Sequence, residues 1–217
     1  TIQSGKLWML QCRIGKRNGP AAIRMASEMA HEKMIDEKTA ITRVTPSQLD
    51  ELLHPIVDPD IEKITPLLAK GLPAGPGGAT GKAVFTAQDA VDWAEKGETV
   101  VLVREETNPE DVEGMRASVA ILTSRGGMTS HAALVARGWG MCCIVGAGEM
   151  KVDSFKKEFV INGKTIKEGD LITLNGTAGK VYEGELPLIE TDITSDYLTH
   201  FLGMCDGIKK LKVRTNA

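Results

Sequence analysis

Two short apolar runs, residues 119–122 (Val-Ala-Ile-Leu) and 141–145 (Met-Cys-Cys-Ile-Val), constrain this chain more than any other feature. Each reads as a buried strand. Between them Arg125-Gly-Gly-Met-Thr-Ser-His131 leads into one short helix, expected over 130–137 and closed by Gly138 at the C′ position. Ala132, Leu134 and Val135 are expected to turn inward. Strand, helix and strand in succession belong to an α/β architecture.

That pattern sets one imidazole, His131, in the first turn of a helix, beside the hydroxyls of Thr129 and Ser130 and the pliable Gly126-Gly127 backbone. A helix start offers unpaired N–H groups and a dipole that favours negative charge, so an anion such as a phosphoryl group is stabilised there. The same dipole opposes a second proton on the ring, leaving one nitrogen as a nucleophile. Thr129 is the candidate N-cap, with a hydroxyl able to turn to phosphoryl oxygens instead. Glycine lets a second backbone approach an anion closely. By position alone, a lone histidine at a helix start is ordinarily a capping or surface residue. Cys142 and Cys143 beside it allow a metal-site reading of His131, but they lack chelating spacing. As neighbours in a strand they point to opposite faces and read as small buried hydrophobes.

The whole string Gly126-Gly-Met-Thr-Ser-His-Ala-Ala-Leu-Val-Ala-Arg-Gly138 resembles the phosphohistidine signature of the phosphoenolpyruvate-utilising enzymes. Met128 stands where other members usually carry Arg, and Cys142-Cys143 where they usually carry Pro-Ala. Upstream, residues 101–115 match one branch, with Asn108 where Ser is more usual. That branch interconverts ATP, phosphate and pyruvate with AMP, pyrophosphate and phosphoenolpyruvate. The resemblance implies a swivelling β/β/α phosphohistidine domain preceded by a helical connector, with His131 as the phosphoryl carrier. It implies Gly127, Thr129 and Ser130 as supporting groups, Arg125 and Arg137 as candidate anion partners, and Thr129 as a candidate for regulatory phosphorylation. A synthase-like branch of the family and a non-enzymatic phosphocarrier module are the alternatives.

The resemblance extends along nearly the whole chain and implies four parts. Residues 1–14 would end an ATP-grasp nucleotide-binding domain, with Gln11 and Arg13 as remnant ATP contacts on a strand over 6–13. Residues 15–70 would be the helical connector, 71–190 the phosphohistidine domain, and 191–217 a linker toward a phosphoenolpyruvate/pyruvate-binding barrel. Mg²⁺ would be held outside this chain, and the full enzyme would be a homodimer. Members occur in bacterial cytosol, plant plastids and protist glycosomes.

The residues themselves mark out the same course. Pro20 suits a helix start, with an Ala22-Met25-Ala26-Met29 stripe running to about Met34. Asp36 and Ser47 read as N-caps of two further helices, over 37–44 and 47–53, and His31 and His54 as surface residues. The Gly/Pro-rich stretch 71–81 is expected to form tight turns, without the lysine and spacing of a phosphate-cradling loop. Then come a strand over 82–85, a helix over 87–95, a strand over 99–103 and a helix with Asn108 as N-cap and Pro109 at N1. Hairpins follow, with turns at Asn162-Gly163 and Asn175-Gly176.

Among the 217 residues acids and bases are interspersed for a net charge of −3, so no nucleic-acid or membrane-surface partner is indicated. The basic run 209–214 reads as a solvated face. The spacing of Cys12, Cys142, Cys143 and Cys205 suggests neither a disulfide framework nor a zinc site, which points to a reducing, intracellular compartment.

Overall fold

The computed structural model describes residues 1–12, 15, 17–50, 52–190 and 196–212. It divides into two compact units, residues 1–48 with 194–217, and residues 49–193. Among the described residues, no helix is long and apolar enough to cross a membrane.

The first unit opens with a hairpin of two short exposed strands, β1 (Ile2–Gln3) and β2 (Lys6–Leu7). The expected strand over 6–13 stops at Leu7. Gln11 is exposed and in no regular element, and Arg13 lies outside the described residues. Helix α1 (Gly19–His31) carries Pro in its first turn, as expected, and is capped by Asn18, whose Oδ1 accepts from Ala21 N at 3.0 Å. Ala22 and Ala26 are buried, but Met25 is 44% exposed and Ile23 takes its place in the core. Asp36 does cap α2 (Glu37–Thr42). Ser47 falls inside α3 (Pro46–Asp50) rather than ahead of it; Thr45 precedes that helix, and its Oγ1 accepts from Gln48 N at 3.4 Å. A closing helix, Asp196–Ile208, buries Leu198, Phe201 and Met204. Residues 209–212 of the basic run are exposed, whereas 213–214 lie outside the described residues.

The second unit is built on one eight-stranded sheet. Its elements are β3 (Ile56–Val57), α4 (Pro59–Ile64), β4 (Ala69–Lys70), β5 (Leu72–Gly75), β6 (Gly78–Val84), α5 (Ala87–Glu95) and β7 (Val100–Arg104). A 3-10 turn (Pro109–Asp111) then runs into α6 (Val112–Ala117), followed by β8 (Ala120–Thr123), α7 (His131–Trp139) and β9 (Cys142–Val145). Strands β10 (Lys151–Asp153), β11 (Glu158–Ile161) and β12 (Lys164–Lys167) form a separate antiparallel sheet. β13 (Leu171–Asn175) and β14 (Lys180–Glu183) return to the main sheet, and β15 (Leu188–Ile189) pairs with β3. The main sheet runs β4-β14-β13-β6-β7-β8-β9-β5. Its centre, β6 to β9, is parallel and its flanks are antiparallel.

The apolar strands show no alternation in sequence because both faces of the sheet are covered. Val101, Val103, Ala120, Leu122, Cys142 and Ile144 pack on one side with Phe159, Ile161 and Ile166 of the small sheet. Val100, Leu102, Ile121, Cys143 and Val145 pack on the other with Ala90, Met115, Ala132, Ala133 and Ala136 of the helices. The result is a three-layer β/β/α arrangement, and the two neighbouring cysteines fall in opposite cores as expected.

Several boundaries differ from the sequence reading. The stretch 71–81 is mostly strand, with a turn only at Pro76-Gly77, where Gly77 has φ +89°. Its glycines serve close backbone approach instead: a Cβ on Gly75 would sit on the carbonyl oxygen of Met141, just before the neighbouring strand β9. The strand expected over 82–85 therefore starts four residues earlier, at Gly78. Val119 is 41% exposed and precedes β8. His54 is half-buried rather than superficial, set against Gly77 and Gly140. Asn162 (φ 50°) and Gly163 (φ 78°) make a two-residue hairpin turn with both residues left-handed. By contrast β13 and β14 are joined by a four-residue loop, 176–179, in which Asn175 Oδ1 accepts from Ala178 N.

Candidate functional site

The carboxyl ends of parallel strands are where an α/β sheet gathers loops and helix starts, and ligands characteristically bind there. In this chain the ends of β7 and β8 bring together two loops, residues 105–108 and 124–130. Ser124 N donates to Arg104 O at 3.1 Å and Arg125 N to Glu105 O at 2.8 Å, so the pairing of the two strands continues past their ends.

His131 opens α7 at its first helical position. The cap is Ser130, not Thr129: Ser130 Oγ accepts from Ala133 N at 3.5 Å, and its backbone is extended. Thr129 is exposed one residue earlier, so its hydroxyl is not committed to the helix. The helix also ends two residues later than expected. It passes through Gly138 to Trp139 and ends on Gly140, which adopts the left-handed conformation (φ 65°) that a C-cap glycine allows. Its buried face is Ala132, Ala133 and Ala136, while Leu134 is 56% exposed. Three alanines let the helix lie close to the sheet.

The imidazole has a partner the sequence reading missed. Thr107, only 3% exposed, places Oγ1 3.1 Å from His131 Nδ1. With the ring proton on Nδ1 donated to that oxygen, Nε2 keeps its lone pair free. The contact spans 24 residues of chain and depends on the register of β7 against β8. The one available signal was position: Thr107 directly precedes the Asn108-Pro109 helix start.

Around this pair the expected residues fall into different places. Gly126 has φ +100°, and a Cβ there would press on Ser130; Gly127 has open space about it. Only the first of the two is required by the backbone. Arg137 donates to two backbone carbonyls. Its Nη2 donates to the Met128 carbonyl at 2.7 Å and its Nε to the Ala74 carbonyl at 3.4 Å, strapping the loop to α7 and β5. Arg125 makes an exposed ion pair with Glu105 at 3.0 Å. Burial pushes the thiols of Cys142 and Cys143 up to about 12, so they stay protonated near neutrality. Among the described residues, no group of three or more His, Cys, Asp or Glu is placed to hold a metal ion.

Comparisons with known proteins bear on this geometry. Residues 96–179 match the family described as "PEP-utilising enzyme, mobile domain". The chain is 48% identical over 217 residues to pyruvate, phosphate dikinase 2 of Oryza sativa subsp. japonica, covering 100% of this chain and 24% of that protein. It is 50% identical over 218 residues to the chloroplastic pyruvate, phosphate dikinase of Flaveria trinervia, covering 100% and 23%. The chain therefore spans about a quarter of the length of these relatives. A solution structure of enzyme I is similar to 49% of this chain and 37% of its own at 27% identity, with a TM-score of 0.29.

Proposed function

Residues 96–179 form a mobile domain of the phosphoenolpyruvate-utilising enzyme family, and on that premise we propose that His131 carries a phosphoryl group between two substrate sites. The reaction is that of a pyruvate, phosphate dikinase: ATP, phosphate and pyruvate exchanging with AMP, pyrophosphate and phosphoenolpyruvate. The observation that carries this reading is the contact between Thr107 Oγ1 and His131 Nδ1 at the start of α7. It leaves Nε2 as the nucleophile. For AMP to leave, Nε2 must attack the β-phosphorus of ATP, forming the N–P bond as the bond from that phosphorus to the AMP oxygen breaks. Phosphate then takes the terminal phosphoryl group as pyrophosphate, and the phosphoryl group left on Nε2 passes to the enolate oxygen of pyruvate as the N–P bond breaks. The first-turn N–H groups of α7, the backbone of Gly127 and the uncommitted hydroxyl of Thr129 are proposed to stabilise the phosphoryl oxygens. Arg137 supports the loop from behind, and Arg125 steers anions from its exposed pair with Glu105.

The other parts of the reading follow from the resemblance and from the share of the relatives covered. Residues 71–190 would swivel between an ATP-grasp domain, whose last residues include Gln11 and Arg13, and a pyruvate-binding barrel beyond the 191–217 linker. A single carrier then serves two distant sites by docking at each in turn. By the same resemblance Mg²⁺ would be held by the other domains. The homodimer belongs to the same proposal. A reducing compartment suits the free thiols, and plastid is the compartment named for several relatives.

The test uses the full-length protein that carries this chain. Replacing His131 with Asn should abolish net turnover and the acid-labile, base-stable phosphoryl adduct. Residual turnover within roughly tenfold of wild type would sink the assignment.

A further inference from the structure

We propose that Arg104 and Asp111 are a positioning pair. They brace the 105–108 loop so that Thr107 orients the His131 ring for phosphoryl transfer, an inference that rests on the carrier reading above. The loop must hold Thr107 in one place, because the ring is oriented by a single hydrogen bond at Nδ1. Arg104 stands just before the loop, as the last residue of β7, and Asp111 ends the 3-10 turn that follows the loop. Arg104 Nη2 lies 3.4 Å from Asp111 Oδ1, so the ion pair closes the loop at its base. The other carboxylate oxygen of Asp111, Oδ2, accepts from the backbone N–H of Asn108 at 2.9 Å, directly beside Thr107. The guanidinium is itself fixed: Nη1 donates to the Phe85 carbonyl at 3.1 Å, at the end of β6, and lies 3.5 Å from Ser154 Oγ.

Burial makes this pair a stiff one. The side chains are 22% and 7% exposed, so neither charge is freely solvated and each depends on the other. The planar fork of an arginine reaches the carbonyl, the hydroxyl and the carboxylate together, which a lysine's point charge cannot do. None of these groups touches the nucleophile. Their influence passes through the position of Thr107, and a shift on the order of an ångström in such a group is enough to slow a reaction by orders of magnitude.

The experiment measures phosphohistidine formation from radiolabelled phosphoenolpyruvate in the full-length protein, with the ring nitrogen identified after alkaline hydrolysis and the melting temperature recorded. Wild type should carry the group on Nε2 alone. Arg104→Met should slow formation at least roughly tenfold and place a measurable share on Nδ1, while Arg104→Lys recovers part of the rate. In a Thr107→Val background, Arg104→Met should add little further loss, since both changes act through one contact. Additive losses, or slower formation with the product still wholly on Nε2, would overturn the pair's role. If Arg104→Met does not fold, Asp111→Asn, which keeps an acceptor for Asn108, decides by the same comparison. Wild type that forms no phosphohistidine would remove the carrier reading, and this inference with it.

Discussion

At the scale of single residues, the arrangement separates two hydroxyls that look equivalent in sequence. Ser130 is spent on capping α7, whereas Thr129 is exposed and uncommitted. A phosphate on Thr129 would add about −1.5 to −2 charges beside the helix start, occupying the same donors and repelling a phosphoryl group arriving at His131. Thr129→Asp should therefore lose nearly all phosphohistidine formation while Thr129→Val keeps a substantial part, with melting temperatures alike. Equal loss in both variants would mean that the hydroxyl itself is required and that charge is not the cause. The buried thiols give a second residue-scale expectation. Cys142 and Cys143 ionise near 12 in the folded chain against 9.0 unperturbed. The folded values are raised, so this contribution to stability is fully present below about pH 9 and is lost as pH rises toward 12. Denaturant titrations between neutrality and pH 11 should show the midpoint falling across that window. A Cys142→Ala/Cys143→Ala variant should lose less of it, and an unchanged slope would refute the account.

At the scale of elements, α7 and β5 are held where they are by small residues. Ser130→Ala removes the cap of α7 and should cost about 1 kcal/mol, read as a shift in the denaturation midpoint at constant slope. Gly75→Ala should cost more than the roughly 1 kcal/mol scale of a surface glycine change, because its Cβ must displace the Met141 carbonyl next to β9. Amide exchange in β9 would report it: faster exchange there than in β13 is expected, and uniform exchange would mean the strand pair had simply shifted to make room.

At the scale of the whole molecule, the cores on the two faces of the main sheet and both loops of the site lie within residues 49–193. That segment expressed alone should melt cooperatively and keep the far-ultraviolet signature of a mixed α/β fold. A broad, non-cooperative melt would show that the rest of the chain is needed to complete the core. It takes in residues 49–70 because β3 pairs with β15 and β4 with β14, partners more than a hundred residues away in sequence.

Sequence alone determined what rests on local pattern: the α5 boundaries, the Asp36 cap, the Asn162-Gly163 turn, the opposed faces of Cys142 and Cys143, and His131 at a helix start. Those follow from side-chain period, capping chemistry and backbone preference within a few residues. What depended on distant partners was decided only in three dimensions. The glycines at 71–81 became strands because neighbouring backbones needed the space, not because the chain turned there. Arg137 went to backbone carbonyls, an arrangement its position at the far end of α7 did not disclose. Thr107 met His131 because β7 and β8 pair in one register, and no pattern local to either residue specifies that register.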